Sequence, residues 1–266
     1  LKTATLKPPD QVEREYVRLL NWYVRQIVAS TRRIVMPKLP SILKQANTEL
    51  TQDGYAEDLI ILLATFLDEM VTSARAVEWR LPGVFALLAK TNDRSLIMAV
   101  KASTGVTLPE ASMRGKSLLG VNVYGEEKWI ADMQRAWVKQ NVGLVTSIGT
   151  QYHGQLETII RQGVLNGSSV KQVSDKIQKQ FVVTKNRATL IAQDQVLGSF
   201  ARLTQIRAES IGVKQYEWAT VGDSRVRPEH VDLNGKLFSW DKPPSFGHPG
   251  TPIRCRCRAA LVLPEL

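Results

Sequence analysis

The apolar residues of this chain change their spacing once, and that change limits the folds open to it. From about residue 10 to residue 212 they recur at helical intervals; beyond Gly212 they alternate. Val12, Tyr16, Leu19, Leu20, Tyr23 and Ile27 outline a first helix, which Pro37 and Pro40 interrupt. A second fits residues 56–79, with Leu59, Leu62, Leu63, Phe66, Leu67 and Met70 inward and Pro82-Gly83 ending it. Residues 101–125 are richer in Gly, Ser and Thr and read as a loop or extended arm.

Trp129, Met133, Trp137, Leu144, Ile148, Tyr152, Leu156 and Ile159 then keep roughly one face of a long helix. Gly143, Gly149 and Gly154 weaken it, because an interior glycine costs about 1 kcal/mol against alanine. They mark a bend or a close approach. Asn166-Gly167 breaks the chain, and Ser169 with Gln172 forms a capping box for a short helix ending near Phe181. Another helix is expected over 185–210, with Gly212 in the position that follows a helix end.

Tyr216, Trp218 and Thr220 alternate with Gln215, Glu217 and Ala219, as in a strand. Asn234-Gly235, between residues 230–233 and 236–240, signals a type I′ hairpin. Cys255, Cys257, Ala259, Leu261 and Leu263 alternate with Arg254, Arg256, Arg258, Ala260 and Val262 in a further strand. Residues 241–252 hold four prolines and read as a loop. The expected class is α+β: a mainly helical body with long helices and a small C-terminal antiparallel β module. The expected parts are a helical region with an arm over 1–125, a helical segment over 126–212 and the β module over 213–266. No internal repeat or low-complexity tract is visible.

The 266 residues carry 35 basic and 25 acidic side chains, a net charge of +10. Such a surface favours nucleic acid, an anionic membrane or an acidic protein partner; no polybasic block exists, so contact with phosphates would be non-specific and sequence-specific readout is not expected. Two cysteines in a chain this long do not build a secreted disulfide scaffold, so a reducing cytoplasm is the expected setting. The longest apolar run, Leu59–Leu67, is too short to span a bilayer. No signal-peptide pattern opens the chain, and its start at Leu1 rather than Met is what a trimmed product would show.

His230, His248, Cys255 and Cys257 are the candidate zinc ligands, and four such groups would close a tetrahedral site. In an extended strand the two cysteines stand about 7 Å apart on one face. Their sulfurs meet on one ion only if the backbone turns there. The rival reading makes both thiols small apolar residues on an inner face, and the strand alternation favours it. Asp223, His230 and Asn234 could form a hydrolytic site with His230 as general base. Yet Asp-x-x-Arg and Asn-Gly are also ordinary turn chemistry, with Arg225 and Arg227 placed to bridge Asp223 and Glu229. No phosphate-binding Gly-Lys-Ser/Thr loop, His-Glu-x-x-His helix or Gly-x-Ser-x-Gly elbow occurs. No catalytic residue is assigned, and none to His153.

Three stretches carry a resemblance. The first is Asn186-Arg187-Ala188-x-x-Ile191-Ala192-x-Asp194-Gln195. The second contains Gly212, Tyr216, Trp218, Thr220, Asp223, Arg225-Val-Arg227, His230, Gly235 and Phe238, and the third is Pro252-Ile-x-Cys255-Arg-Cys257. Together they resemble the phage Mu F-like minor head (head morphogenesis) proteins of tailed bacteriophages, over about residues 130–266. Many relatives carry a Cys-x-x-Cys pair where Arg227 and His230 stand, which leaves His230 as the single potential ligand of that pair here.

The resemblance implies a virion structural protein: a minor capsid component at the portal vertex, acting in procapsid assembly and in DNA packaging or ejection. Its implied partners are the portal protein and the major capsid protein, with packaged double-stranded DNA met through phosphates and no membrane. Its implied place is the capsid interior or portal vertex, after assembly in the host cytoplasm. No enzyme activity or cofactor is implied, a structural zinc being the alternative. Trp218, Asp223, Arg225, Arg227, His230 and Gly235 form the structural signature, with the polar members fixing a turn over Trp218. The competing functions are a metal-dependent nuclease or toxin-like enzyme centred on His230, and a non-specific DNA-binding module.

Overall fold

The computed structural model describes residues 2–48, 53–108, 127 and 129–263. Most of the arm expected over 101–125 lies outside them. The fold is mainly helical α+β, as the change of period implied. In order, β1 is Lys2–Thr5, α1 Asp10–Ser30, α2 Leu39–Thr48, α3 Asp53–Glu78, α4 Leu81–Thr104, α5 Trp129–Leu165 and α6 Val170–Ser210. Then come β2 Gln215–Ala219, α7 Pro228–Val231, β3 Leu237–Ser239 and β4 Arg258–Leu263, with a π-helical turn at Thr31–Val35 after α1. No described helix is long and apolar enough to cross a membrane.

These elements form two compact units. One holds residues 17–81 and 138–191; the other holds residues 1–16, 82–137 and 192–266, as far as they are described. The first is all helical. Tyr152 of α5 lies fully buried between Phe66 of α3 and Phe181 of α6, at ring distances of 5.9 and 6.0 Å. Thr31 gives its hydroxyl proton to the Ile27 carbonyl at 2.8 Å, so the Tyr152 hydroxyl donates to Thr31 at 2.9 Å. The glycines of α5 do not interrupt it. Gly149 instead admits the buried Tyr23, whose hydroxyl lies 2.3 Å from where a Cβ would stand, while Gly143 and Gly154 face open space.

Helix ends follow local chemistry. At the end of α5, Ser168 N–H reaches the Gly163 carbonyl and Gly167 adopts φ +58°. Ser169 Oγ then accepts from Gln172 N–H at 3.3 Å, and Gln172 Oε1 accepts from Ser169 N–H at 2.8 Å, a complete capping box. The helix it opens does not stop near Phe181. α6 runs unbroken to Ser210, because Thr184 satisfies its hydroxyl on the Gln180 carbonyl within the helix and neither glycine nor proline stands between Phe181 and Lys185. Gly212, at φ +85°, ends α6 with Val213 N–H on Ala208 O and Gly212 N–H on Glu209 O, a Schellman closure.

The second unit carries an antiparallel sheet in the order β1-β4-β2-β3. β1, which the sequence pattern does not reveal, pairs with β4 from Lys2↔Leu263 to Thr5↔Ala260. α4 holds it there: Ser103 and Ser95 donate to the carbonyls of Thr3 and Lys7. Within the same unit Arg207 of α6 is buried in a polar network. Its Nε and Nη2 grip both oxygens of Glu127 at 2.8 and 2.7 Å, and Nη1 donates to the Ala89 carbonyl and to Asn92 Oδ1. Asn92 completes the set by donating to Thr204 and to the Phe200 carbonyl.

The contrast among the α5 glycines has a measurable consequence. Gly143→Ala and Gly154→Ala should each raise stability by about 1 kcal/mol, the ordinary helix-propensity gain. Gly149→Ala should lower it, since the added methyl would overlap the hydroxyl of the buried Tyr23 and force that ring to shift. Urea unfolding of the three variants tests both signs.

Candidate functional site

The site grows from the Schellman turn at Gly212. β2 leaves it with Tyr216 and Trp218 fully buried on one face, opposite Leu261 and Ala259 of β4. Small Ala259 leaves room for the indole. The expected hairpin at Asn234-Gly235 does not form. Pro228 occupies the first turn of α7, so residues 228–231 are helical and have no strand to offer. Asn234-Gly235 instead ties β3 to β2. Asn234 Oδ1 accepts from the Thr220 amide and hydroxyl at 2.9 and 3.0 Å, and Gly235, at φ +79°, donates to the Trp218 carbonyl.

Asp223 organises the preceding loop. Its Oδ1 accepts from the Arg225 amide at 3.1 Å, and Arg225 Nη2 stands 3.2 Å from Oδ2. The partner that sequence spacing missed is Arg256, whose Nη2 lies 2.7 Å from both carboxylate oxygens. This bond is the main reason the Asp223 carboxyl is held below the usual aspartate range. Arg227 does not join Asp223 or bridge to Glu229; it donates to the Ile253 carbonyl at 2.6 Å. The expected polar network is thus two separate clamps, both reaching residues 253–256.

His230 belongs to neither clamp. It faces inward from α7, 2% exposed, with Trp218 edge-on at 5.2 Å and Phe246 at 5.4 Å. Its Nδ1 lies 3.5 Å from Cys255 Sγ and 3.6 Å from Cys257 Sγ. The extended strand expected over 255–263 begins only at Arg258. Ahead of it, Cys255 N–H closes a turn onto the Pro252 carbonyl, and Arg254 takes φ +61°, the left-handed region. Asp194 of α6 helps hold that conformation by accepting from the Arg254 amide at 3.2 Å. The turn swings Cys255 out of strand geometry, so that its sulfur, that of Cys257 and the His230 nitrogen all lie within 4.8 Å of one another.

Both cysteines are buried and unbridged. Gly250 donates its amide to Cys255 Sγ at 3.4 Å. The Cys255 thiol is pulled well below its ordinary value, first by its hydrogen bond with Cys257 and then by that amide; Cys257 is pushed up by the same pairing and by burial. His248, the fourth candidate ligand, is elsewhere. Its Nδ1 lies 3.0 Å from the Tyr216 hydroxyl, its ring packs on Trp240, and burial lowers its pKa. The structure brings three of the four candidates together and leaves His248 out.

The proposed hydrolytic trio is not assembled either. Asp223 is held by arginines, Asn234 by Thr220 and His230 by the cysteines, and no hydrogen bond among the described residues joins the three. A hollow of about 510 Å³ opens beside His230, Cys255 and Cys257, walled by Arg225, Arg227, Arg254 and Arg256.

The Asp223 clamp sets a pH dependence. A depressed carboxyl contributes stability that is fully present above the ordinary aspartate pKa of about 3.9 and is lost as pH falls through the folded value. Acid unfolding of the wild type should therefore steepen below about pH 4, and Asp223→Asn should flatten that limb. Equal slopes would mean the clamp contributes nothing.

No solved structure matches this chain. A curated relative, described as an uncharacterized protein of Haemophilus influenzae, is 35% identical over 135 residues, 50% of this chain and 30% of that protein. The chain thus spans under a third of the length of the relative it matches. Residues 154–260, which contain α6, the sheet strand β2 and both clamps, match the model of the family described as phage Mu protein F like protein, and the chain is similar to that family over this stretch.

Proposed function

We propose that this chain is a bacteriophage head-morphogenesis protein: a minor capsid component bound at the portal vertex and acting in procapsid assembly. The Mu F-like match over residues 154–260 carries this reading. The chemistry of the motif residues agrees with a structural role. Asp223, Asn234 and Arg227 are engaged in clamping loops to the sheet, which leaves none of them free to act on a substrate. In this reading the β unit is a rigid docking body and the long helices supply surface for the portal and major capsid proteins.

A further part of the proposal concerns DNA. The net charge of +10 and the arginine-walled hollow suit phosphates met without base readout, as a protein facing packaged DNA requires. Such binding should fall steeply with salt and show no sequence preference. The nuclease reading lacks its trio, since Asp223, His230 and Asn234 are held by separate partners; plasmid cleavage abolished by His230→Ala would revive it.

Co-expression with head proteins tests the main reading. The chain should copurify with assembled heads, and Asp223→Ala should reduce its incorporation by loosening the loop that Arg256 holds. A folded Asp223→Ala chain that enters heads at the wild-type level would remove that residue from the assembly role. Absence of the wild-type chain from heads would remove the role altogether.

A further inference from the structure

Beside the docking role stands a feature that role does not use: three soft donor atoms meeting in the interior. We propose that His230, Cys255 and Cys257 bind a thiolate-preferring divalent metal ion of the zinc class. The inference does not depend on the head-assembly reading.

Distance carries the first part of the case. Zinc holds thiolate sulfur at about 2.3 Å and imidazole nitrogen at about 2.0–2.1 Å in tetrahedral geometry, which puts ligand sulfur and nitrogen about 3.5 Å apart. His230 Nδ1 lies 3.5 Å from one sulfur and 3.6 Å from the other. A hydrogen bond explains only one of these contacts. Nδ1 has a single proton or a single lone pair, directed along one line in the ring plane. Two sulfurs at nearly equal distance from one nitrogen are what convergence on a common point produces.

The surroundings carry the second part. Metal-binding thiolates are steadied by outer hydrogen bonds, and Gly250 N–H donates to Cys255 Sγ at 3.4 Å. Gly250 sits at φ +86° with Ala201 Cβ only 2.9 Å from where its own Cβ would stand, so that loop reaches the sulfur through a position only glycine fills. Trp218 closes the cluster from beneath: its ring packs edge-on against His230 at 5.2 Å, and its indole N–H meets the Cys257 sulfur. The left-handed Arg254, held by Asp194, is the backbone distortion that aims Cys255 inward. Charge agrees too. A dication with two thiolates and a neutral imidazole is uncharged overall, which suits a buried site walled by four arginines. The three ligand residues all border the hollow, which leaves water to fill the fourth position from that side.

The test uses the full chain, purified under reducing conditions from zinc-supplemented cells. Elemental analysis should find roughly one zinc per chain. Exchange with Co²⁺ should give the near-ultraviolet thiolate charge-transfer band and the visible bands of a tetrahedral ion. Cys255→Ser and His230→Ala should lose the bands, and His248→Asn should keep them. Should the ligand variants fail to fold, the wild-type chain decides alone. A folded wild type with neither zinc nor Co²⁺ bands overturns the proposal. So does a Cys255–Cys257 disulfide in fresh protein, or loss of the bands in a folded His248→Asn chain.

Discussion

β4 is paired along both of its edges, and the second unit is arranged around that fact. β1 lies on one side along residues 260–263 and β2 on the other along residues 258–261, so the strand is held from both flanks. β2 and β3 alone would share three residue pairs, too few to persist in water. β4 also decides what comes just before it. Because Arg258 enters the ladder opposite Ala219, residues 255–257 must arrive beside the end of β2, next to Asp223 and under α7. The arginine clamp and the cysteine cluster are consequences of that register.

The elements visible in sequence are those governed by local chemistry. The Ser169–Gln172 box, the glycine closures at Gly167 and Gly212 and the alternation of β2 depend on residues within a few positions of one another. What stayed hidden depends on distant partners. β1 is four residues long and gains strand character only from β4 and the serines of α4. The continuity of α6 through Val182-Val183-Thr184 runs against the weak helix propensity of β-branched residues and is maintained by the surrounding helical chain. Asn234-Gly235 still turns the chain, with Gly235 but not Asn234 at positive φ, and it joins a helix to a strand, because Pro228 had already claimed the residues before it.

The candidate site divides in the same way. His230, Cys255 and Cys257 were recognisable as ligand types, but strand alternation argued for keeping their sulfurs apart. One residue, Arg254, reverses that outcome by leaving extended geometry, and nothing in its side chain announces a positive φ. The arginines show the limit of spacing arguments as well. Arg225, Arg227 and Arg256 all stand near Asp223 in the motif, yet the carboxylate takes its tightest bond from the one farthest away in sequence, while Arg227 serves a carbonyl. Residues of one motif hold different loops.

The pairing of Lys2 with Leu263 joins opposite ends of the described chain, and that has a price in time. Helices can form as they leave the ribosome, but β1 has no partner until β4, the last described strand, has been made. The sheet therefore closes as a late, long-range event, after the helical unit has had the chance to settle. Until then the Trp218 and Tyr216 face and the thiols of Cys255 and Cys257 lack their final cover, and it is in this interval that the newly made chain is most exposed to aggregation and oxidation.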